Sequence, residues 1–392
     1  MADVGKKRVL WLHTQPEYYH SLLIDALNER STNVEYVAGF LYPGQGLYKE
    51  SMLPKGGATI LRGIEGKEGF RFFGKCHRDW RADLYPLKYD AMIVSGYGGR
   101  TQREVIADCY RRDIPVAMWS DSNVRDEWKP GGGLRSWVKR LLKRQFLRPI
   151  IRQCDWLLTT NSNGIEYWKR YGAPAEKIVR SPYYAGYRQV EEAAKLPREE
   201  VLGRFGLKQD ARLLYSAARL VVNKGLDLGI RAFLASGLKE KGWHYLIAGV
   251  GPKEEELKTL AGEELDKSVR LLGFQQPRDN LAMISHADLF FLPSRIEPHG
   301  IVIGEAMCAG TPVLSSDICG AAIDLVVPGV SGDVFKSEDV QDLEKKLKEM
   351  SEEGRLAKMR AGTRKQFEKW FAAASPVDVV DRVAKKMLGE TA

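Results

Sequence analysis

The feature that most constrains the fold is a regular alternation of short apolar runs with amphipathic helical patterns along the 392 residues. In the first half the strand-like runs are Val9–His13, Val34–Ala38, Ala91–Ser95, Pro115–Trp119 and Trp156–Thr160. In the second half they are Leu213–Ala217, Tyr245–Ala248, Val269–Leu272, Leu289–Leu292 and Val313–Ser315. Because helical segments separate the runs, we expect an α/β fold of parallel sheets covered by helices.

Chain length and one change of composition predict two domains. At roughly 150 residues per domain, a chain of this length holds two. The segment Ser181–Leu196 combines Pro, Gly and a polar run, so we expect the linker there. The sequence therefore predicts domains at residues 1–188 and 189–375, followed by a last helix that Pro376 opens.

Charge and cysteine content narrow the class of protein. The formal net charge of +9 favours anionic partners, such as a phosphorylated substrate or an anionic membrane surface. Nucleic acid is disfavoured because no recognisable binding module accompanies the charge. The five cysteines are odd in number and form no C-x-x-C pair, which indicates reduced thiols in a cytoplasmic protein. No run approaches the ~18 apolar residues of a membrane-spanning helix.

The strongest site signal follows the apolar run Leu289–Pro293. There Glu297 and Glu305 stand eight positions apart across a predicted strand-to-helix turn. Gly300 lets a ligand approach the backbone closely, and the free N–H groups at the helix start suit a phosphate. The two carboxylates can then bind the hydroxyls of one sugar and one ribose. The alternative is a surface glutamate and a helix glutamate that complements the dipole.

Two further motifs follow neighbouring strands in the same half. Arg219 and Lys224 stand five positions apart on a loop that opens a helix. Arginine can grip a diphosphate as a fork and lysine as a point charge, although two solvated surface cations are the alternative. Gly249 and Gly251, in a G-x-G-P turn, permit close approach of a ligand, but such a turn alone is weak evidence. All three motifs fall at carboxyl ends of parallel strands, where α/β folds bind ligands.

Taken in chain order, the motifs resemble those of glycosyltransferase family 4, which combines R-x-x-x-x-K with G-x-G-P and E-x7-E. The resemblance covers residues 210–335 in detail and the N-terminal half only in layout. It implies the GT-B fold, with two Rossmann-like doubly wound domains facing across a cleft. The N-terminal domain would bind the acceptor, and the C-terminal domain the nucleotide sugar. The last helix, in residues 376–392, would pack back on the N-terminal domain.

The resemblance also implies roles for individual residues. Arg219 and Lys224 would hold the donor diphosphate and neutralise the leaving group, and Glu297 would accept from a sugar hydroxyl. The remaining donor-binding positions would be the backbone around Gly300 and Ile301, the ribose-binding Glu305, the turn glycines Gly249 and Gly251, and Phe274 beside the base.

Two positions depart from the family pattern. Many relatives have Phe where this chain has His299, which would contact the sugar or phosphate or fill the same space. Where relatives place a histidine after the Pro115–Trp119 strand, this chain has Asp121. Asp121 is thus a candidate for binding an acceptor or sugar hydroxyl, and a turn aspartate is the alternative.

The implied activity is that of a retaining hexosyltransferase. Its donor is a nucleotide-diphosphate sugar, which we expect to be a UDP-sugar. The family needs no metal or cofactor, and the chain contains no D-x-D motif. The expected acceptor is a glycan or a polyprenyl-phosphate-linked sugar, with a soluble small molecule as the alternative. A non-catalytic sugar-binding protein is a further alternative. A nicotinamide-dependent oxidoreductase is disfavoured, because Leu10–Tyr19 contains no glycine for the G-x-G-x-x-G turn.

A basic amphipathic helix is predicted at residues 134–152. It carries seven Lys or Arg residues and no acid, interleaved with Trp137 and several leucines and isoleucines. Such a helix is a candidate for lying on an anionic leaflet at the cytoplasmic face of a membrane. The alternative is an ordinary helix packed on the sheet with its cations in water.

Overall fold

The computed structural model describes residues 6–42, 53–61, 77, 79–125, 134–352 and 354–390. It divides into two compact units. The N-terminal unit comprises Met1–Tyr184 together with Ala374–Ala392, and the C-terminal unit comprises Ala185–Ala373. Among the described residues, no helix has the length and apolar character needed to cross a bilayer.

The strands form two parallel sheets, one in each unit. They are β1 (Lys7–His13), β2 (Val34–Phe40), β3 (Ala58–Ile60), β4 (Ala91–Ser95), β5 (Val116–Ser120), β6 (Trp156–Thr159), β7 (Ile178–Arg180), β8 (Arg212–Ala217), β9 (Trp243–Ala248), β10 (Val269–Gly273), β11 (Leu289–Leu292), β12 (Val313–Ser316) and β13 (Gly332–Phe335). Central strands such as β4 and β11 are buried along their whole length, as expected for parallel strands with helices on both faces.

The helices lie between successive strands and after the last strand. They are α1 (Tyr18–Arg30), α2 (Trp80–Leu84), α3 (Arg100–Arg111), α4 (Leu134–Gln153), α5 (Ser162–Arg170), α6 (Tyr187–Ala193), α7 (Arg198–Gly203), α8 (Leu226–Ala235), α9 (Glu254–Ala261), α10 (Pro277–His286), α11 (Ile301–Cys308), α12 (Gly320–Leu325), α13 (Val340–Met350), α14 (Arg355–Ala374) and α15 (Pro376–Met387). The charged region 340–369 is divided between α13 and α14.

Both sheets are doubly wound. The first has the order β3-β2-β1-β4-β5-β6-β7 and the second β10-β9-β8-β11-β12-β13. In each sheet the chain builds one side and then crosses back to build the other. The loops after β1 and β4, and those after β8 and β11, therefore diverge at a topological switch point, where such folds bind ligands.

The last helix, α15, is part of the N-terminal unit. It starts at Pro376, a residue suited to the first helical position, and Ser375 Oγ accepts a hydrogen bond from the Asp378 backbone N–H at 3.5 Å. Its buried valines join the core formed by Val9 and Trp11 of β1. The Tyr36 hydroxyl on β2 donates to Asp381 Oδ1 at 2.9 Å. Helix α15 thus covers one face of the first sheet.

The predicted linker Ser181–Leu196 contains the first division between the two units. The chain divides at Tyr184/Ala185 rather than at 188/189, and again at Ala373/Ala374 rather than at 375/376. Helix α6 begins inside the predicted linker because Tyr187 packs against Phe367 and Phe371 of α14, with ring centroids 4.8 and 5.1 Å apart. These aromatic contacts assign the second half of the predicted linker to the C-terminal unit.

Four cysteines are buried as free thiols: Cys109, Cys154, Cys308 and Cys319. Burial raises the pKa of the Cys109, Cys308 and Cys319 thiols to about 12. Cys76 lies outside the described residues. The four described thiols are therefore protonated at neutral pH.

Candidate functional site

The loops after β8 and β11 meet at the switch point of the second sheet. Lys224 ends a one-turn 3-10 segment after β8, and its ammonium group forms an ion pair with Glu297 in the loop after β11. Only 19% of the Lys224 side chain and 10% of the Glu297 side chain are exposed. Ser294 Oγ also lies 3.4 Å from the same Glu297 oxygen. Two of the predicted site residues are thus in direct contact.

Backbone contacts hold these two loops together. The N–H groups of Arg295 and Ile296 donate to the carbonyl oxygen of Asn223 at 2.8 and 3.1 Å. Gly225 has a φ of +61°, and a Cβ atom there would lie 2.0 Å from the Pro293 carbonyl oxygen. A glycine is therefore required both for the left-handed turn and for the close approach of the loops.

Arg219 differs from Lys224 in being exposed. Among the described residues, no carboxylate or carbonyl group accepts a hydrogen bond from its guanidinium group. It therefore presents an uncompensated cation on the same loop as Lys224.

Gly249 and Gly251 pack against the loop that carries Arg219. A Cβ atom on Gly249 would lie 1.9 Å from the Ala218 carbonyl oxygen, and one on Gly251 would lie 2.5 Å from that of Leu220. The Leu220 backbone N–H also donates to the Val250 carbonyl at 3.0 Å. Both glycines are thus required for the close packing of these two loops.

Gly300 sets the start of α11. Its φ is +90°, and a Cβ atom there would lie 2.7 Å from Cys319 Sγ. The start of α12 holds this turn in place, because the thiol of Cys319, just before the helix, and the N–H of Ala321 in its first turn both donate to the His299 carbonyl oxygen, at 3.1 and 2.7 Å. Helix α11 therefore begins at Ile301, four positions after Glu297.

Two ionisable side chains near this turn have shifted pKa values. Burial lowers the pKa of His299 to about 3, so the imidazole is neutral in ordinary buffers. Burial raises the pKa of Glu305 to about 8. Within the described part of the chain, the Glu305 Oε2 atom is buried without a hydrogen-bond partner. A ligand hydroxyl would satisfy this oxygen.

The two remaining predicted residues lie elsewhere. Phe274 follows β10 and is exposed, directly after Gly273 with its φ of +66°. Asp121 follows β5 in the N-terminal unit, where Tyr183 Oη donates to its Oδ2 at 3.4 Å. The other predicted residues are all in the C-terminal unit.

A histidine pair at the carboxyl end of β1 had no predicted role. His13 and His20 are buried and stack with ring centroids 4.1 Å apart, and His13 Nδ1 lies 3.0 Å from Ser95 Oγ. Burial lowers the pKa of His13 well below its usual value and that of His20 to about 3. Their seven-residue spacing across the first strand–helix turn was the available sequence signal. At the switch point of the first sheet, the two histidines therefore form a stacked pair of neutral imidazole rings.

Helix α4 has one apolar side packed and another exposed. Leu147, Ile150 and Ile151 are buried in the core. On the roughly opposite side, at about 100° per residue, Trp137 and Leu142 are 59% and 64% exposed, and Val138 and Leu141 are also exposed. The exposed Arg148 and Arg152 continue this second side, and the exposed Arg144 lies at its border. Packing on the sheet therefore accounts for only one apolar side of the helix; the side chains of residues 134–136 lie outside the described ones.

Known proteins resemble this chain in sequence and structure. Residues 197–370 match the family model of the glycosyl transferases group 1. Alpha-D-kanosaminyltransferase of Streptomyces kanamyceticus is 30% identical over 195 residues, which are 49% of this chain and 50% of that protein. Amylovoran biosynthesis glycosyltransferase AmsK of Erwinia amylovora is 32% identical over 227 residues, 54% of this chain and 53% of that protein. The chain thus spans about half the length of these curated relatives.

Solved structures resemble the whole chain. HepE of Anabaena, crystallised with UDP and glucose, gives a TM-score of 0.69 at 16% identity, covering 98% of this chain and 100% of that one. Sucrose-phosphate synthase of Thermosynechococcus elongatus gives 0.74 at 14% identity, again covering 98% and 100%. The chain therefore has the GT-B fold, and the prediction of two Rossmann-like domains is confirmed.

Proposed function

We propose that this protein is a retaining glycosyltransferase that transfers a hexose from a UDP-sugar to a glycan or lipid-linked acceptor in polysaccharide or glycoconjugate synthesis. The observation that carries the proposal is the Lys224–Glu297 ion pair at the switch point of the second sheet. This pair lies within the segment that matches the group 1 glycosyl transferases. The relatives that act in glycan synthesis and the neighbour crystallised with UDP and glucose support the substrate class.

In this proposal the donor lies along the carboxyl ends of β8 and β11. Lys224 and the exposed Arg219 bind the diphosphate, together with the first N–H groups of α11. Glu297 accepts from a hydroxyl of the transferred sugar. The buried oxygen of Glu305 accepts from the ribose, and the exposed Phe274 lies against the base.

The proposed chemistry is attack on the same face of the sugar as the departing phosphate. The bond from the anomeric carbon to the diphosphate oxygen breaks, and a bond to the acceptor oxygen forms. The acceptor proton passes to the leaving diphosphate, so no enzyme nucleophile is needed. Arg219 and Lys224 stabilise the negative charge that develops on the diphosphate, the role that a metal ion plays in other enzymes.

The acceptor is proposed to bind to the N-terminal unit, with Asp121 as a hydroxyl-binding residue. The exposed side of α4 supports an acceptor at an anionic membrane surface. Trp137 and Leu142 would enter the interface while Arg144, Arg148 and Arg152 contact lipid phosphates. A polyprenyl-phosphate-linked sugar is the acceptor class that this surface favours over a soluble molecule.

A panel of nucleotides and nucleotide sugars tests the function directly. We expect UDP and one UDP-hexose to raise the melting temperature of the protein, and that UDP-hexose to be hydrolysed slowly without acceptor. Product analysis by NMR would then give the anomeric configuration. Binding without hydrolysis or transfer would indicate a sugar-binding protein, and an inverted product would contradict the proposed mechanism.

A further inference from the structure

One guanidinium group connects three segments of the chain at the carboxyl ends of the strands of the second sheet. Arg295 follows β11 and forms two hydrogen bonds with the Asp227 carboxylate, at 2.5 and 2.8 Å. Its Nε donates to Glu338 at 2.7 Å, and its Nη1 donates to the Val222 carbonyl oxygen at 3.2 Å. Asp227 lies in the first turn of α8, and Glu338 follows β13. Arg295 thus links the ends of β8, β11 and β13.

These contacts act on the loop of Lys224 from both sides. Val222 starts the 3-10 turn that ends at Lys224, and Asp227 lies three positions beyond it. Burial opposes the ionisation of Asp227, but hydrogen bonds and charge from Arg295 hold its pKa below the usual value. The pair is therefore fully charged at neutral pH, and the arginine side chain is only 19% exposed.

We infer that Arg295 is a positioning residue that fixes Lys224 opposite Glu297, before any donor binds. The expected effect of Arg295 on transfer rests on the proposed function, whereas its positioning of Lys224 does not. The planar fork of arginine matches the two Asp227 oxygens, while a lysine at this position would keep the charge and lose the paired geometry. Arg295 itself need not touch the donor.

The chain offers a matched control at the opposite edge of the same two strands. Arg198 donates to the carbonyl oxygens of Gln209, Ala211 and His286, and to the carboxylate of Asp288, which immediately precedes β11. Its side chain is 26% exposed, close to that of Arg295. Replacing Arg198 therefore removes a similar arginine network at the amino edge of β8 and β11, away from Lys224.

The first experiment compares amide hydrogen exchange in the ligand-free wild type, Arg295→Lys and Arg198→Lys. We expect about tenfold faster exchange at the amides of residues 219–225 in Arg295→Lys, the effect of losing about one charge-assisted hydrogen bond. In Arg198→Lys those amides should exchange as in the wild type. Equal exchange of residues 219–225 in all three proteins would overturn the inference, whatever the protein's activity.

The second experiment measures transfer from the active UDP-sugar. We expect Arg295→Lys to lower kcat/KM by about 100-fold, as a displacement of ~1 Å can in an active site. Arg198→Lys should keep kcat/KM within a few-fold of wild type. In a Lys224→Ala background the further loss from Arg295→Lys should shrink below tenfold. A full loss in both backgrounds would overturn action through Lys224, and a wild type inactive with every donor would overturn the proposed function alone.

Discussion

Lys224 and Glu297 are 73 positions apart in the chain and form an ion pair. Each charge is therefore compensated by the other. In the proposed complex the diphosphate takes over Lys224 and the sugar hydroxyl takes over Glu297. Donor binding then exchanges one ion pair for two separate contacts, so neither charge is left buried and alone.

Replacing Lys224 by alanine should weaken donor and transition-state binding. A hydrogen bond to a charged group contributes about 1.5–3 kcal/mol, so we expect kcat/KM to fall roughly 10- to 150-fold. Arg219→Ala should cost at least as much because its cation is uncompensated. Lys239→Ala is the control, since Lys239 pairs with Glu264 at 2.9 Å elsewhere in the unit. Wild-type transfer by both site variants would refute the diphosphate assignment.

Glu297→Gln should remove most turnover while the protein stays folded. The amide preserves the shape but accepts a sugar hydroxyl less strongly than the carboxylate does. It also releases Lys224, so donor KM should not rise in proportion to the loss in kcat. Steady-state kinetics beside a melting curve separates the two effects, with Glu264→Gln as the control. An unchanged kcat would exclude Glu297 from the reaction.

Chelators should leave transfer unchanged. In the proposed mechanism Arg219 and Lys224 carry the charge stabilisation that a divalent cation would otherwise supply. Initial rates with and without excess EDTA, after dialysis, measure this directly. Inhibition that added magnesium or manganese reverses would disprove the metal-free mechanism.

Glu305 should make both stability and donor binding depend on pH. Its pKa is raised by burial to about 8, so the folded state holds a proton that an unfolded glutamate releases near its ordinary pKa of 4.5. The stabilisation is complete below that value and is lost as the pH rises through 8. Glu305→Gln should therefore flatten the fall in melting temperature over this window.

The raised pKa of Glu305 also determines in which direction UDP affinity changes with pH. A ribose hydroxyl donates to the ionised carboxylate, so UDP affinity of the wild type should increase from pH 6 to pH 8. Isothermal titration at several pH values measures it, and Glu305→Gln should remove the increase. Affinity that falls with pH in the wild type but not in the variant would contradict the assigned role.

The exposed side of α4 should bind anionic vesicles. Each of Arg144, Arg148 and Arg152 contributes about 1 kcal/mol near an anionic leaflet, and less as salt rises. We expect sedimentation with phosphatidylglycerol-containing liposomes at low salt, reduced by Trp137→Ser with Leu142→Ser. Lys139→Gln, off this side of the helix, is the matched control. Equal sedimentation of all three proteins, or none by the wild type, would leave α4 as a helix of the N-terminal unit only.

Much of the fold was predictable because its central strands are apolar runs that helical patterns separate. The sequence analysis missed three strands, β3, β7 and β13. Each is the outermost strand of its sheet and is three or four residues long. β3 and β7 are only partly buried, and β13 contains Gly332 and Asp333, which are uncommon in strands. Helix α6 was missed because its apolar positions, Tyr187 and Val190, stand among polar residues and are recognised only by their partners.

The site was predictable as a set of motifs and not as a set of contacts. The positions of Arg219, Lys224 and Glu297 after their strands follow from the alternation of strands and helices. Arg295 had no such signal, because its partners Asp227 and Glu338 lie 68 and 43 positions away. The packing role of Gly249 was also invisible, since a sequence shows that a glycine is tolerated but not what approaches it.

Because α15 belongs to the N-terminal unit, that unit is built from two separate segments of the chain. The C-terminal unit is one continuous segment inserted between them. Residues 185–373 have both ends joined to the same body, so a cut at either junction alone leaves the two units tethered. A chain ending at Tyr184 would uncover the valine-contacting face of β1 and leave Tyr36 without Asp381. A first unit made on its own therefore needs the final helix, either supplied in trans or joined to Tyr184 by a linker in place of residues 185–373.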